Sequence, residues 1–397
     1  MKDLKEIRTE LHDVILKKID LTREVQDDEI EELISQVITD KGRSIYLSLN
    51  EKQRLKTELF DSIRKKGVIQ PLIDDPTVTE IMVNGTDNIF IEKSGRLSIW
   101  DRRFESREAL NDVVQQIAAS SNRVVNEASP IVDARLENGS RVNIVMNPVA
   151  LNGPVITIRR FPDKPIRMDD LIRFGAVTTE AVDFLRKLVI SGYNIFISGG
   201  TGSGKTTFLN ALSGFIPEET RVITIEDSAE LQIQGIPNLV SLETRNANVE
   251  GCRPITIRDL IKSSLRMRPD RIVVGEVRDG AALDFLQAAN TGHDGSLSTG
   301  HANSAKDMLL RLEVMVLMAG MELPLTAIRR QIASAVDIIV HLGRLRDKSR
   351  KVLEITEILG FQDGEIMIRP VYQFDGEKLT QINPLIHTEK LERSGFL

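Results

Sequence analysis

A glycine-rich segment constrains this chain more than any other part of its sequence. Residues 199–206 read Gly-Gly-Thr-Gly-Ser-Gly-Lys-Thr, which fits the phosphate-loop pattern G-x-x-x-x-G-K-[ST]. The apolar run 193–198 predicts a buried strand before the loop, and residues 206–212 predict a helix after it. Because strand, loop and helix occur in the order that the motif requires, the sequence predicts a nucleotide site in an α/β domain.

Each residue type in the loop has its own task in nucleotide binding. Glycines let backbone N–H groups turn toward a polyphosphate, and the amino end of the following helix adds a favourable dipole. We expect Lys205 to contact the β- and γ-phosphates and the Thr206 hydroxyl to hold Mg²⁺. A glycine-rich turn without a ligand is the alternative. The residues predicted to bind the nucleotide here are Gly200, Thr201, Gly202, Ser203, Gly204, Lys205, Thr206 and Thr207.

The composition limits the kinds of protein that this chain can be. At 397 residues it should form two or three domains, and its many aliphatic residues predict sizeable cores. A net charge of −6 argues against a protein that coats nucleic acid. The single cysteine, Cys252, excludes an internal disulfide and a tetracysteine zinc site, and it fits a cytosolic compartment. We find no signal sequence and no apolar run near the ~18 residues of a membrane span, so a role at a membrane would require partner proteins.

We expect three successive regions, at residues 1–66, 67–164 and 165–397. The first has three apolar stripes at helical spacing and predicts a small helical bundle, with a loose docking arm as the alternative. The second combines strand and helix patterns and predicts an α+β domain, followed by a linker at Pro162 and Pro165. The third alternates helices and strands, which predicts a mostly parallel sheet with helices on both faces.

Short apolar runs predict most of the strands. In the second region they lie at residues 79–84, 88–92, 96–100, 141–146 and 155–161. In the third region they lie at residues 193–198, 221–226, 271–274 and 295–299, with further strands beyond residue 336. Sites in such parallel sheets lie at the carboxyl ends of the strands.

Acidic residues follow two of these strands. Glu226, Asp227 and Glu230 come after one strand, and Gly275-Glu276 follows another. Nucleotide hydrolysis needs a carboxylate that orients or deprotonates water. Taken alone, the first group would be a solvated turn more often than a site, but its place after a phosphate loop favours a catalytic role. Gly275 stands where such sites usually carry an aspartate, so Glu276 would act through a metal-bound water or on the attacking water.

Two histidines stand in a further glycine-rich segment, at positions 293 and 301. Zinc binding is disfavoured, because no third soft ligand lies nearby in the sequence. Each histidine could be a structural hydrogen-bonding anchor. We favour a role for His293 and His301 near the γ-phosphate, as sensors of the nucleotide state.

These four features, in this order, resemble those of the secretion ATPases of type II and type IV systems. The features are the phosphate loop, an acidic box, a Gly-Glu motif and a histidine box. Within that family the chain is most similar to the CpaF/TadA ATPases of tight-adherence pili, and the similarity extends over about residues 70–360. The tetracysteine motif of other branches is absent, which favours the tight-adherence or type IV branch. The segments that carry the similarity are residues 225–231, 265–278, 291–303 and 311–320.

The resemblance implies a RecA-like P-loop motor domain after an N-terminal domain, with ATP bound between them. It also implies a cytoplasmic homo-hexamer at the inner face of the cytoplasmic membrane, working with integral-membrane platform proteins. Lys205 and Thr206 match the residues that bind phosphate and Mg²⁺. Glu230 matches the catalytic glutamate, and Glu276 matches the glutamate of the second motif.

The resemblance also assigns roles to histidines and arginines. His293 and His301 match the histidine box. The family uses arginines of the N-terminal domain to reach the phosphates, and Arg141, Arg159 and Arg160 lie on predicted strands that would face the site. A guanidinium fork suits phosphate binding. Because adjacent strand residues point to opposite faces, at most one of Arg159 and Arg160 should reach the nucleotide.

The predicted function is therefore ATP hydrolysis that powers assembly of a tight-adherence or type IV-like pilus, or secretion. One alternative is a type IV secretion ATPase that moves DNA or protein. Direct binding of nucleic acid is disfavoured, because no loop combines aromatic and basic residues. A second alternative is a nucleotide-dependent scaffold with little hydrolysis. It would not need a water-orienting acid, whereas Glu230 and Glu276 are both present.

Overall fold

The chain forms two compact units in a computed structural model. The units are Met1–Asp163 and Lys164–Leu397. Two residues of interest from the sequence, Pro162 and Cys252, lie outside the described part of the chain. The structure describes residues 4–18, 27–64, 66–93, 95–121, 123–160, 165–245 and 253–397.

The first unit begins with a bundle of three helices, as predicted. These are α1 (Leu4–Lys18), α2 (Asp27–Gly42) and α3 (Leu49–Arg64). Their apolar stripes form one hydrophobic cluster that buries residues from every helix. Val14, expected in the first stripe, is 37% exposed instead. The side chains of Leu4 and Ile63, also expected in the stripes, lie outside the described residues.

An antiparallel sheet with its own core completes the first unit. After α3 the unit contains a 3₁₀ turn (Gly67–Ile69), α4 (Gln70–Asp74), β1 (Val78–Asn84), β2 (Asn88–Lys93), β3 (Arg96–Ile99), α5 (Arg107–Ser120), β4 (Ile131–Arg135), β5 (Arg141–Val145) and β6 (Val155–Arg159). The strand order in the sheet is β3-β2-β1-β6-β5-β4, and strand β4 was not predicted from the sequence. The Ser106 hydroxyl caps the amino end of α5 by accepting from the Ala109 N–H.

The second unit is the predicted α/β domain. The elements of this unit are α6 (Met168–Arg173), α7 (Thr179–Ile190), β7 (Ile195–Gly199), α8 (Lys205–Ser213), β8 (Val222–Glu226), β9 (Leu239–Glu243), α9 (Ile257–Ser264), β10 (Arg271–Val274), α10 (Ala281–Ala289), β11 (Leu297–Gly300), α11 (Ala305–Leu317), α12 (Leu325–Ala335), β12 (Ile338–Arg344), β13 (Arg350–Gln362), β14 (Glu365–Phe374), β15 (Leu379–Gln381) and α13 (Glu389–Arg393). Strand β9 and helix α13 were not predicted from the sequence.

One sheet of nine strands runs through this unit, in the order β15-β14-β13-β12-β7-β11-β10-β8-β9. The six strands from β12 to β9 are parallel, and the other three pair antiparallel. Successive residues such as Phe196 and Ile197 belong to different hydrophobic clusters, so both faces of the sheet are covered. The loops after β7, β8, β10 and β11 therefore meet at one end of the sheet. Within the described ranges, no helix is long and apolar enough to cross a membrane.

Candidate functional site

The phosphate loop joins a fully buried strand to the amino end of a helix. Every residue of β7 is buried, and α8 begins at Lys205. Gly204, the residue before the helix, has a φ of 91°, in the left-handed region that glycine adopts without strain. The first amide N–H groups of α8 have no intrahelical acceptors, so they are available to an anion. The loop therefore has the backbone geometry of a phosphate cradle.

Lys205 is held at this end of the sheet by the loop and by His301. Its side chain is nearly buried, at 7% exposure. The ammonium Nζ donates to the carbonyl oxygen of Gly200 at 3.1 Å and lies 3.3 Å from Nδ1 of His301. Burial lowers the pKa of Lys205, and the Glu276 carboxylate opposes that shift. An anion placed beside this poorly solvated ammonium would be bound favourably.

Glu276 and Arg278 continue the group of charges beyond His301. Nε2 of His301 lies 3.1 Å from Oε1 of Glu276. Oε2 of Glu276 accepts a hydrogen bond from Arg278 at 2.9 Å, and Arg278 also lies 3.6 Å from Asp227. The hydrogen bond from Arg278 to Glu276 raises the pKa of Arg278, as do the charges of Glu276, Asp227 and Glu230. The predicted acidic box, Gly-Glu motif and histidine box thus meet at one place through a residue that was not predicted, Arg278.

The surroundings of His301 favour its neutral form. Burial, followed by the nearby Lys205 charge, lowers its pKa below the ordinary value of 6.5. An ammonium can only donate, so Nδ1 of His301 accepts from Lys205 and the proton lies on Nε2, facing Glu276. The imidazole therefore connects the phosphate loop to the Glu276 carboxylate without adding charge. This position fits the predicted sensor role.

A buried polar atom of the phosphate loop lacks a hydrogen bond. Among the described residues, the Ser203 hydroxyl has no hydrogen-bond partner. Buried polar atoms in proteins are nearly always paired. An unpaired hydroxyl in a phosphate loop fits a phosphate oxygen as its acceptor, and the Glu276 carboxylate fits a hydrated Mg²⁺, which usually keeps several waters and takes few protein ligands. The residues present thus fit a nucleotide bound with Mg²⁺.

The acidic box is shaped by Glu226, the last residue of β8. Its Oε1 accepts hydrogen bonds from the backbone N–H groups of Glu230, at 2.9 Å, and Leu231, at 3.0 Å. Glu226 is only 4% exposed, and burial raises its pKa to about 7. Glu226 thus bonds to the loop backbone, whereas Glu230, in the same loop, is half-buried. The sequence indicated an acidic cluster but not this division between its members.

His293 lies at the opposite end of the sheet from the phosphate loop. It precedes β11 and approaches the carbonyl oxygen of Ala288, at 3.0 Å from Nδ1, near the end of α10. Its neighbour Asp294 packs on Gly192, which precedes β7. Because β7 and β11 are parallel, this is the amino end of the strands, opposite to the phosphate loop. Within one chain only His301 reaches the loop, because strand β11 separates the two histidines.

The three candidate arginines differ in their surroundings. Strand pairing places Arg141 directly opposite Arg159, which in turn lies opposite Glu80. Their strand neighbours are buried in the core, so these side chains lie on the other face of the sheet. Arg159 is 67% exposed and pairs with Glu80 at 2.8 Å. Arg160 instead donates to the carbonyl oxygen of Ile73 at 3.0 Å, within its own unit.

A family comparison decides what kind of protein carries this site. The family model described as Type II/IV secretion system protein matches residues 62–380, most of the chain. The chain belongs to this family. The conjugal transfer protein TrbB of Rhizobium radiobacter is 36% identical to this chain over 318 residues, which cover 79% of this chain and 94% of that protein. The type IV secretion system protein VirB11 of Brucella suis is 33% identical over 300 residues, covering 69% and 83%.

A solved structure agrees with the fold of this chain. The pilus retraction motor PilT with bound ADP superposes with a TM-score of 0.53 over 82% of this chain and 85% of its own, at 17% identity. At that identity the likeness shows the fold alone. The relatives above carry the names TrbB and VirB11, so the narrower resemblance to CpaF/TadA stays a prediction.

The arginines give a matched pair of variants. We expect Arg159→Ala to slow ATP turnover while ADP affinity stays unchanged, because a clamp on the γ-phosphate acts on a group that ADP lacks. Arg160→Ala should mainly lower stability, by about 1 kcal/mol for one lost hydrogen bond. Turnover, calorimetric ADP affinity and thermal unfolding of both variants test this. Normal turnover in Arg159→Ala would exclude that residue as the clamp and make Arg141 the next candidate.

Proposed function

We propose that this secretion ATPase hydrolyses ATP at the loop 199–206 and uses the energy for mechanical work in a pilus-assembly or secretion machine. One observation carries the proposal. Lys205, His301 and Glu276 follow one another at 3.3 and 3.1 Å, so the phosphate loop is connected to a carboxylate at the end of the strands. A scaffold that only bound nucleotide would not need the carboxylates of Glu276 and Glu230, whose charges both act on Arg278.

Each residue has a role in this reaction. Lys205 binds the β- and γ-phosphates and neutralises charge that builds up in the transition state. Glu230 orients or deprotonates the attacking water, and Glu276 acts through water at the phosphate end of the site. His301 reports whether the γ-phosphate is present through its contacts with Lys205 and Glu276. When bound, Mg²⁺ would neutralise phosphate charge, held by the Thr206 hydroxyl.

We further propose that the active form is a homo-hexamer on the cytoplasmic face of the inner membrane. In that assembly, arginines on the sheet of the first unit would reach a nucleotide, with Arg159 and Arg141 ahead of Arg160. A planar guanidinium on a strand suits this task, because its donors match phosphate oxygens in pairs. Integral-membrane platform proteins are the proposed partners.

Activity should therefore depend on assembly. We expect the rate of phosphate release per chain to rise with protein concentration, in step with the mass measured by light scattering, because an arginine supplied by a neighbour acts only in the ring. Single-stranded DNA should leave the rate unchanged. A rate that stays flat while only monomer is seen would contradict the ring, and strong stimulation by DNA would favour a DNA-moving motor.

Two kinds of machine fit this ATPase. The four sequence segments favour assembly of a tight-adherence or type IV-like pilus. The names of the relatives TrbB and VirB11 favour the second candidate, a type IV secretion ATPase for DNA or protein. The neighbouring genes distinguish the two. A prepilin gene beside genes for polytopic platform proteins would support the pilus, and a set of conjugation genes would support the second candidate.

A further inference from the structure

The acidic box contains a carboxylate that the proposed reaction does not use. We propose that Glu226 is a positioning residue, which sets the place of the Glu230 carboxylate by binding the backbone of the loop that carries it. This inference rests on the proposed hydrolytic role of Glu230. It assigns different tasks to two acidic residues that the sequence presents as one cluster.

The hydrogen bonds of Glu226 point to this task. Oε1 accepts from the N–H of Glu230 at 2.9 Å and from the N–H of Leu231 at 3.0 Å, and Oε2 accepts from Leu231 at 3.3 Å. The carboxylate thus closes the chain from the end of β8 into a fixed turn. A carboxyl oxygen can accept these N–H groups whether or not the group is ionised. The Cα position of Glu230, and hence the origin of its side chain, is set by Glu226.

Burial of the Glu226 carboxyl group costs folding free energy, so we expect this residue to have a task. Glu226 is 4% exposed and lies near the further carboxylates of Glu230 and Glu243. Burial of a polar group costs free energy unless hydrogen bonds compensate it. An apolar residue at the end of this strand would avoid that cost but would leave the two loop N–H groups without their acceptor. The Glu226 carboxyl group at this position supplies that acceptor.

Gly275 makes room for Glu226. Its N–H donates to the carbonyl oxygen of Ile225 at 2.9 Å, so the ends of β10 and β8 lie side by side. A Cβ atom on Gly275 would lie 2.9 Å from Cγ of Glu226 and 3.2 Å from its Oε1. An aspartate at position 275, expected from other phosphate-loop sites, would therefore collide with Glu226. The glycine before Glu276 and the buried Glu226 form one arrangement that supports the loop of Glu230.

The test compares turnover number, KM for ATP, ADP affinity and thermal unfolding in single variants of Glu226, Glu243 and Glu230 and in one double variant. Glu226→Ala should lower kcat about 10-fold or more, because small displacements of catalytic groups cost one to two orders of magnitude. KM and ADP affinity should stay within about twofold, since the phosphate loop is not altered. Glu226→Gln should keep kcat within a few-fold, because its amide oxygen can accept the same N–H groups. Glu243→Ala, an exposed carboxylate beside Glu226 on β9, is the matched control and should match the wild type.

A double mutant separates positioning from a general structural effect. In the Glu230→Gln background, Glu226→Ala should lower kcat by less than about twofold, because a residue that acts only through Glu230 has nothing left to position. If the kcat losses of Glu226→Ala and Glu230→Gln multiply in the double mutant, the proposal is overturned. Equal losses of kcat in Glu226→Ala and Glu226→Gln at equal stability would also overturn it. If Glu226→Ala does not fold, Gly275→Ala crowds the same side chain and should lower kcat with ADP affinity unchanged; normal kcat in that variant would overturn the proposal.

The proposal and the function on which it rests can fail separately. If Glu230→Gln is slow while Glu226→Ala turns over normally, the positioning role alone is overturned. If Glu230→Gln itself turns over normally, the hydrolytic role of Glu230 is overturned, and the positioning role with it.

Discussion

Lys205→Ala should reduce ATP turnover on the order of 10³-fold, the upper range for removal of one charged group from a preorganised site. The reason lies in the surroundings of the ammonium. Lys205 is nearly buried at the amino end of α8, and its depressed pKa shows that burial removes solvation from the charge. A polyphosphate would supply the missing negative charge beside Lys205. An alanine side chain would have no positive charge with which to bind that polyphosphate. The measurement is steady-state phosphate release with saturating ATP and Mg²⁺.

The fold should survive this substitution. Within the described residues, the Lys205 ammonium bonds only to Gly200 and His301, both at the site itself, so its loss leaves the core intact. Lys187→Ala, which removes a surface lysine paired with Asp183 on α7, is the matched control and should keep normal turnover. A Lys205→Ala protein with a near-normal rate would show that the loop is not the site of hydrolysis.

Local signals in the sequence predicted most of the second unit. The strand before the phosphate loop and the strand 271–274 are short apolar runs bounded by turn residues, and both were confirmed. Strands β4 and β9 were missed for a physical reason. Each lies at an edge of its sheet and alternates poorly, with Ile131 of β4 55% exposed. Edge strands receive their stability from one neighbour, so their sequences carry a weak pattern.

The sequence predicted which residues form the site but not the contacts between them. Parallel strands end together, so the sequence could place Lys205, Glu276 and His301 near one another. It could not show that Arg278 links two motifs, since this depends on contacts through space. It also grouped His293 with His301, because spacing along the chain does not reveal that β11 lies between them. The resemblance singled out Glu230 as the catalytic glutamate, but the task of Glu226 was not apparent until its burial and hydrogen bonds were known.

The role of Glu230 leads to the second large effect. Glu230→Gln should bind ATP normally but hydrolyse it on the order of 10²-fold more slowly, the usual loss for a positioned base. Glutamine keeps the size of the side chain and removes only its charge and its ability to take a proton. In this variant the nucleotide affinity measured by calorimetry should equal that of the wild type, whereas the rate of phosphate release should fall. A parallel loss of affinity would mean that the charge of Glu230 serves nucleotide binding.

Glu276→Gln is the comparison that assigns the two carboxylates. Arg278 holds Oε2 of Glu276 at 2.9 Å, and the other oxygen lies beside His301. This carboxylate is therefore fixed in orientation, which suits contact with a hydrated cation more than movement toward an attacking water. Its amide variant should show a turnover that depends more steeply on the Mg²⁺ concentration, whereas Glu230→Gln should stay slow at every Mg²⁺ concentration. If Glu276→Gln is the slower enzyme at saturating Mg²⁺ and Glu230→Gln turns over normally, the two roles are exchanged, and Glu276 orients the water.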